Sequence, residues 1–68
     1  MNKYEIILYW SAEDGTYIVE VPELPGCMAH GGTQIEALSN ANEAILLWID
    51  TARETGRAVP PPKGGDTV

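Results

Sequence analysis

The chain has 68 residues, enough for one small domain, and a domain of this size buries only about 60% of the surface that its unfolded chain exposes. Hydrophobic residues make up 44%, which is too many for a disordered tail and enough for one thin core. Four basic against ten acidic residues give a formal net charge of −6. Such a charge repels phosphate backbones and attracts basic protein surfaces, so we expect no direct binding to nucleic acid.

The single cysteine and the short first apolar run indicate the cellular compartment of the protein. The single cysteine, Cys27, cannot form an internal disulfide, which suits a reducing environment. The apolar run over residues 6–10 is too short for a signal peptide or a membrane span. We therefore expect a cytoplasmic protein with no membrane association.

Alternating apolar residues predict a first strand over residues 3–10, with one buried side formed by Tyr4, Ile6, Leu8 and Trp10. The pair Asp14-Gly15 follows and predicts a hairpin turn, because glycine accepts a positive φ. A second strand begins at Thr16 and ends at Pro22, which has no N–H for a ladder. Its buried side is formed by Tyr17, Val19 and Val21.

The middle of the chain predicts a stiff corner and a third antiparallel strand. Two prolines and a glycine over residues 21–26 form the corner, and Cys27 to His30 form the strand before Gly31-Gly32. Thr33 and Glu36 fit a capping box, in which the Thr33 hydroxyl accepts from the Glu36 N–H and the Glu36 carboxylate accepts from the Thr33 N–H.

A long amphipathic helix follows Thr33. Its apolar side, spaced three and four residues apart, is formed by Ala37, Leu38, Ala41, Ile45, Trp48, Ile49 and Ala52. Gly56 is placed as a left-handed C-terminal cap, and the prolines at 60–62 exclude continuation. Residues 57–60 are expected to add a short fourth strand at the sheet edge, and Lys63 to Val68 to form a disordered tail after a domain over residues 1–62.

These elements predict an α+β fold with a three-stranded antiparallel sheet packed on one long helix. The other side of the sheet then carries an apolar patch of Ile7, Tyr9 and Ile18, rimmed by Glu5 and Glu20. This composition fits a contact surface for another protein. The alternative is a solvated face with scattered apolar residues, which is normal in monomers.

The outer side of the helix is predicted to be acidic. Glu36, Glu43, Asp50 and Glu54 form a stripe, and Leu47 lies among them. A stripe containing Glu43, Leu47 and Asp50 can receive a basic partner. The alternative is an ordinary solvated helix face with one exposed leucine.

No set of residues predicts catalysis or a cofactor. Cys27 and His30 have the spacing of two zinc ligands, but structural zinc needs about four ligands and the chain has no other Cys or His. Carboxylates cluster near the hairpin at Glu13, Asp14, Glu20 and Glu23. Turn chemistry explains Asp14, and no phosphate-binding loop or nucleophile completes a site. We expect no metal, no cofactor and no enzymatic activity; a hydrolase is the least favoured alternative.

Several motifs, read in order, resemble the HicB-like antitoxin family over about residues 3 to 62. The most distinctive are Val-Pro-Glu-Leu-Pro-Gly-Cys at residues 21–27 and Gly-Gly-Thr at 31–33, which opens a helix rich in Ala and Asn. Others are Tyr4-x-Ile6, Glu13-Asp14-Gly15-x-Tyr17, Ala37-Leu38-x-x-Ala41-x-Glu43-Ala44 and Trp48. Together, in this order, they are a specific signal.

The resemblance implies part of a ribonuclease H fold, a homo-oligomer (dimer or tetramer) and neutralisation of a small basic ribonuclease toxin of the HicA kind. The acidic charge agrees with that partner, and the likeness does not imply catalysis, because the acidic catalytic set is not recognisable. Many family members carry a C-terminal DNA-binding domain, and we expect no DNA autorepression from a sequence that ends soon after Pro62. The alternative is a stand-alone oligomeric scaffold without a toxin.

Overall fold

A computed structural model describes residues 3–62 as a three-stranded antiparallel sheet with one long helix on one side. The strands are β1 (Ile7–Ser11), β2 (Thr16–Glu20) and β3 (Met28–Gly31), in the order β1-β2-β3, and the helix is α1 (Gln34–Glu54). The predicted α+β class and its β-β-β-α order are therefore confirmed. The implied likeness to part of a ribonuclease H fold stays a prediction.

Strand β1 begins at Ile7, later than the sequence pattern predicted. Ile7 pairs with Glu20, the last residue of β2, and Pro22 beyond it has no N–H to continue the ladder. The chain before Ile7 is held differently, since the Glu5 N–H donates to the Glu23 carboxylate at 2.7 Å. The hairpin turn is as predicted, with Gly15 at φ 65.

The corner between β2 and β3 is closed by three main-chain hydrogen bonds. The Leu24 N–H donates to Val21 O at 3.1 Å, the Cys27 N–H to Leu24 O at 2.9 Å, and the Val21 N–H to Cys27 O at 3.1 Å. Cys27 thus completes the corner, and its predicted place in the third strand is wrong, because β3 begins at Met28. The corner directs Leu24 into the core, where it is fully buried.

The side chains of Thr33 and Glu36 cap the start of α1. The Thr33 hydroxyl accepts from the Glu36 N–H at 3.0 Å, as predicted. The Glu36 carboxylate accepts from the Gly32 N–H rather than from the Thr33 N–H, which corrects the predicted capping box.

The end of α1 has the hydrogen bonds of a Schellman cap. The Gly56 N–H donates to Arg53 O at 3.3 Å and the Arg57 N–H to Ala52 O at 2.7 Å. Gly56 has φ 74, the left-handed conformation that the sequence predicted there.

Residues 57–60 do not form the predicted fourth strand. The run of prolines at 60–62 supplies no N–H donors for a ladder. The segment is instead tied to the N-terminal region, because the Tyr4 hydroxyl donates to Pro60 O at 2.6 Å. The predicted tail, Lys63 to Val68, lies outside the described residues.

The core lies between α1 and the sheet in two clusters. One cluster joins the corner to the helix through Val21, Leu24, Cys27 and Ile45. The other joins Val19 to Ala37 and Ala41. Every residue of the predicted apolar helix face is buried or half-buried, so that prediction is confirmed.

The helix lies over β3 and β2 and barely touches β1. The first turns of the helix lie directly against the end of β3, where only a glycine fits. A Cβ on Gly31 would lie 2.5 Å from the Ala37 backbone nitrogen. Trp10, predicted to be buried, is consequently 52% exposed. It makes only an edge contact with Tyr17, at 4.9 Å between ring centroids.

Candidate protein-binding surfaces

The sheet face opposite α1 is not covered by any part of the described chain. Residues that pair across antiparallel strands project on the same side, so the register defines this surface. We call it the open face; it consists of Ile7, Tyr9, Ser11, Thr16, Ile18, Glu20, Met28 and His30. Ile7, Tyr9 and Met28 are exposed and Ile18 is half-buried, so half of the residues on this face are apolar and accessible to solvent at least in part.

Glu20 lies inside the apolar part of the open face rather than at its rim. The register places it on the central strand between Ile7 and Met28. The Tyr9 hydroxyl donates to its Oε2 at 2.6 Å and so fixes the carboxylate. This hydrogen bond is the main cause that raises the pKa of Tyr9 above its ordinary value. The remaining acceptor positions of the carboxylate can receive a lysine or an arginine from another protein.

Glu5, the other predicted rim residue, lies just before β1 and is exposed. Its main chain is anchored to Glu23, which places it at one end of the open face. The structure thus brings the predicted sheet residues together on one surface, with Glu5 at its end.

The predicted helix residues lie on the other layer. Glu43, Leu47 and Asp50 are all exposed on α1, the helix that packs on the other side of the sheet from the open face. Glu36 belongs to the same predicted stripe but is engaged in the helix cap. Glu43 and Leu47 nevertheless lie near the β3 edge of the sheet, because they line a cavity together with Met28 of the open face.

A groove between β3 and α1 was not predicted from the sequence. Two adjoining cavities of about 330 and 340 Å³ form it, and both are lined by Met28, Ala44 and Leu47. Glu43 and Asn40 line one end, and Trp48 and Arg57 line the other. In the sequence, the only indications of this groove are the isolated apolar residues Met28 and Leu47. They indicate a groove only once the helix is known to lie beside β3.

Titratable groups in residues 3–62 do not converge. No three Cys, His, Asp or Glu side chains come close enough there to hold a metal ion. Burial raises the pKa of the Cys27 thiol, which disfavours its reactive thiolate. The helix in this part of the chain is not apolar enough over a sufficient length to cross a membrane.

Comparison with known proteins assigns the family. A family model described as the HicB-like antitoxin of bacterial toxin–antitoxin systems matches residues 4–68. The chain belongs to the HicB-like antitoxin family. The predicted resemblance is therefore confirmed, and membership of this family implies a role in a toxin–antitoxin system.

Relatives of this HicB-like chain occur in archaea and cyanobacteria. A UPF0150 protein of Thermoplasma acidophilum is 43% identical over 58 residues, which are 85% of this chain and 83% of the relative. A UPF0150 protein of Synechocystis is 37% identical over 57 residues, covering 84% and 77% of the two chains. A second Synechocystis UPF0150 protein is 43% identical over 51 residues, covering 74% of each.

Proposed function

We propose that this chain is an antitoxin-type binding module that neutralises a small basic ribonuclease toxin of the HicA kind by covering its active surface. The observation that carries this proposal is Glu20, a carboxylate fixed by Tyr9 between the apolar side chains of Ile7 and Met28 on the open face. An acid in apolar surroundings gains most from a cationic partner once water is excluded. The net charge of −6 would also steer a basic toxin toward the molecule.

The proposal requires binding and no catalysis by this chain. The toxin contributes the chemistry, and the antitoxin blocks its access to RNA. It also places both proteins in the cytoplasm, where a toxin that cleaves cellular RNA meets its substrate. No metal or cofactor is required for this role.

Changing Glu20 to Gln tests the proposed docking surface. Glutamine keeps the shape and an acceptor for the Tyr9 hydroxyl, but it removes the charge. We expect binding of a purified basic toxin of the HicA kind to weaken by about 2 kcal/mol or more, roughly thirtyfold in Kd, because its cation loses a desolvated partner. Calorimetry gives the Kd, and RNA cleavage by the same toxin reports neutralisation.

The matched control is Glu13→Gln, which removes one negative charge from the exposed hairpin between β1 and β2. The two variants have the same net charge, so general electrostatic attraction changes equally in both. We expect Glu13→Gln to bind within about twofold of the parent chain, as is usual for exposed charges. If both variants bound the toxin equally well, the open face would not be the docking surface. If the parent chain formed no complex, the antitoxin role would be refuted.

A second candidate, a stand-alone homo-oligomer, is favoured by a different surface. Trp10, Ile35 and Leu46 are exposed apolar side chains. Ile35 and Leu46 lie about three turns apart on one side of α1, and Trp10 projects on the helix side of β1, which α1 leaves uncovered. Apolar surface of this kind is typical of contacts between copies.

Mass in solution tests that candidate. We expect a dimer or tetramer at micromolar concentration, measured by light scattering. We also expect Trp10→Ser to shift the mass toward the monomer, because it removes the largest apolar side chain of that surface. A monomeric parent chain would contradict self-association.

A further inference from the structure

The edge of β3 that faces away from β2 has main-chain groups available for another strand. The Val21 N–H donates to Cys27 O, and these two residues lie one position beyond the paired residues Glu20 and Met28, so they mark the position of a hydrogen-bonded pair just outside the β2–β3 ladder. Such pairs alternate along antiparallel strands. Ala29 and Gly31 therefore bond to β2, while the N–H and C=O groups of Met28 and His30 point away from it.

Within residues 3–62, only part of this outer edge is used. The Asn40 side chain donates to His30 O at 2.8 Å and occupies that carbonyl. Asn40 also supports the conclusion that His30 directs its main chain outward. One acceptor and two donors then remain, namely the C=O of Met28 and the N–H groups of Met28 and His30. An added antiparallel strand can pair with these groups.

The groove beside this edge has room for the side chains of an added strand. Its two cavities join along β3, and Met28 and Leu47 on its walls are 55% and 67% exposed. The side chains of a strand paired with β3 would alternate between the two faces of the sheet, one set lying against Leu47 on the α1 side and the other beside Met28 on the open face. Met28 also belongs to the open face, so the groove and the proposed docking surface are continuous.

The charges around the groove favour a basic occupant. Glu43 lines the groove, and Glu20 lies beside Met28 on the open face. Arg57, the cation among the lining residues, lies over the Trp48 ring at 4.9 Å from its centroid. A second copy of this chain would bring another net charge of −6 to the same place, which opposes its docking there.

We infer that the free edge of β3 binds an extended segment of the basic toxin as a fourth strand of the sheet, with the segment's side chains in the groove beside Leu47. This inference rests on the proposed antitoxin function and adds how the toxin is held. Main-chain hydrogen bonds to Met28 and His30 supply affinity, and the groove selects apolar side chains flanked by cations.

Two neighbouring leucines provide a matched test. Leu47→Lys places a positive charge in the groove, whereas Leu46→Lys makes the same change at the next residue, outside the groove, where Leu46 is 62% exposed. Lysine suits an exposed helix position, so both variants should fold. With the same purified toxin of the HicA kind, we expect Leu47→Lys to raise the Kd about tenfold or more and Leu46→Lys to stay within about twofold.

Amide hydrogen exchange tests strand addition directly. The Met28 and His30 amides should exchange quickly in the free chain and slow by about tenfold or more in the complex, because they gain hydrogen-bond acceptors. The Ala29 and Gly31 amides serve as references, since β2 already protects them in both states. Far-UV circular dichroism of each variant confirms that it is folded.

The outcomes separate this inference from the function on which it rests. A complex of normal affinity with unprotected Met28 and His30 amides, or with Leu47→Lys binding normally, overturns strand addition and leaves the antitoxin role intact. Protection of both amides in the free chain, together with a doubled mass, means that a second copy occupies the edge and also overturns the inference. No complex at all refutes the antitoxin role itself.

Discussion

Replacing Ile45 with alanine is expected to leave the domain barely stable. Ile45 is fully buried and joins α1 to the corner between β2 and β3, where it packs with Leu24. Such a truncation removes apolar contacts and leaves a cavity, at a cost of about 2–5 kcal/mol. At about 0.05–0.15 kcal/mol per residue, the whole chain has only about 3–10 kcal/mol of stability. Urea denaturation monitored by tryptophan fluorescence measures the loss.

Leu46→Ala is the control for Ile45→Ala because it truncates the adjacent residue of the same helix. Leu46 is mostly exposed, so we expect its loss to change the free energy of unfolding by no more than about 0.5 kcal/mol. Similar denaturation midpoints for the two variants would show that Ile45 is not the residue that holds the helix to the corner.

Gly31→Ala is expected to be the second severe change, for a steric reason. The added methyl would lie 2.5 Å from the Ala37 nitrogen and 2.9 Å from its Cα, and neither backbone atom can move without the helix. The first turn of α1 would have to shift away from β3, which disturbs the packing of Ala37 and Ala41 on Val19. Overpacking of this kind costs about 1–3 kcal/mol, and more where the backbone is rigid. A thermal melt measures it, at roughly 4–8 °C per kcal/mol for a small domain.

Gly32→Ala separates this clash from a general effect of replacing glycine. A Cβ on Gly32 would meet the end of the Glu36 side chain, at 3.3 Å, and this flexible side chain needs to shift by only a few tenths of an ångström. We expect the free energy of unfolding to change by about 0.5 kcal/mol or less, so this variant should melt within a few degrees of the parent chain. If the two glycine variants melted together, the close approach of helix and strand would be wrong.

The fold could be predicted wherever a local rule determines the structure. The period of two defined the helix-facing side of β2, and the three-and-four spacing defined the buried side of α1. Gly15 and Gly56 marked positions that require a positive φ, and both have one. These features depend only on neighbours in sequence, so the sequence was sufficient.

The errors concern features that depend on where α1 lies across the sheet. Trp10 shares the alternation of Leu8, yet it is exposed because the helix packs on the opposite half of the sheet. Residues 57–60 were predicted to reach the sheet edge as a strand, but the prolines at 60–62 supply no N–H donors, and the segment is held instead by the Arg57 N–H at Ala52 O and by the Tyr4 hydroxyl at Pro60 O. Periodicity identifies the apolar side of a strand but not how far the second layer extends over it.

The candidate site was likewise only partly predictable. Alternation identified the open face, but the antiparallel register was needed to place Glu20 between Ile7 and Met28. The groove beside Leu47 needed both the register and the helix position, and no sequence pattern contains either. The partner-binding role of these residues stays a proposal until the variants are measured.

Because α1 lies off the centre of the sheet, the three strands are not held equally firmly in the native structure. Strands β2 and β3 are held by the ladder and by the helix together, whereas β1 depends on its ladder with β2 and on the few side chains that reach the core, such as Leu8. A sub-global opening that releases β1 alone would therefore cost less free energy than complete unfolding. The first strand is then the part of this small protein that can detach and rejoin while the rest keeps its native structure.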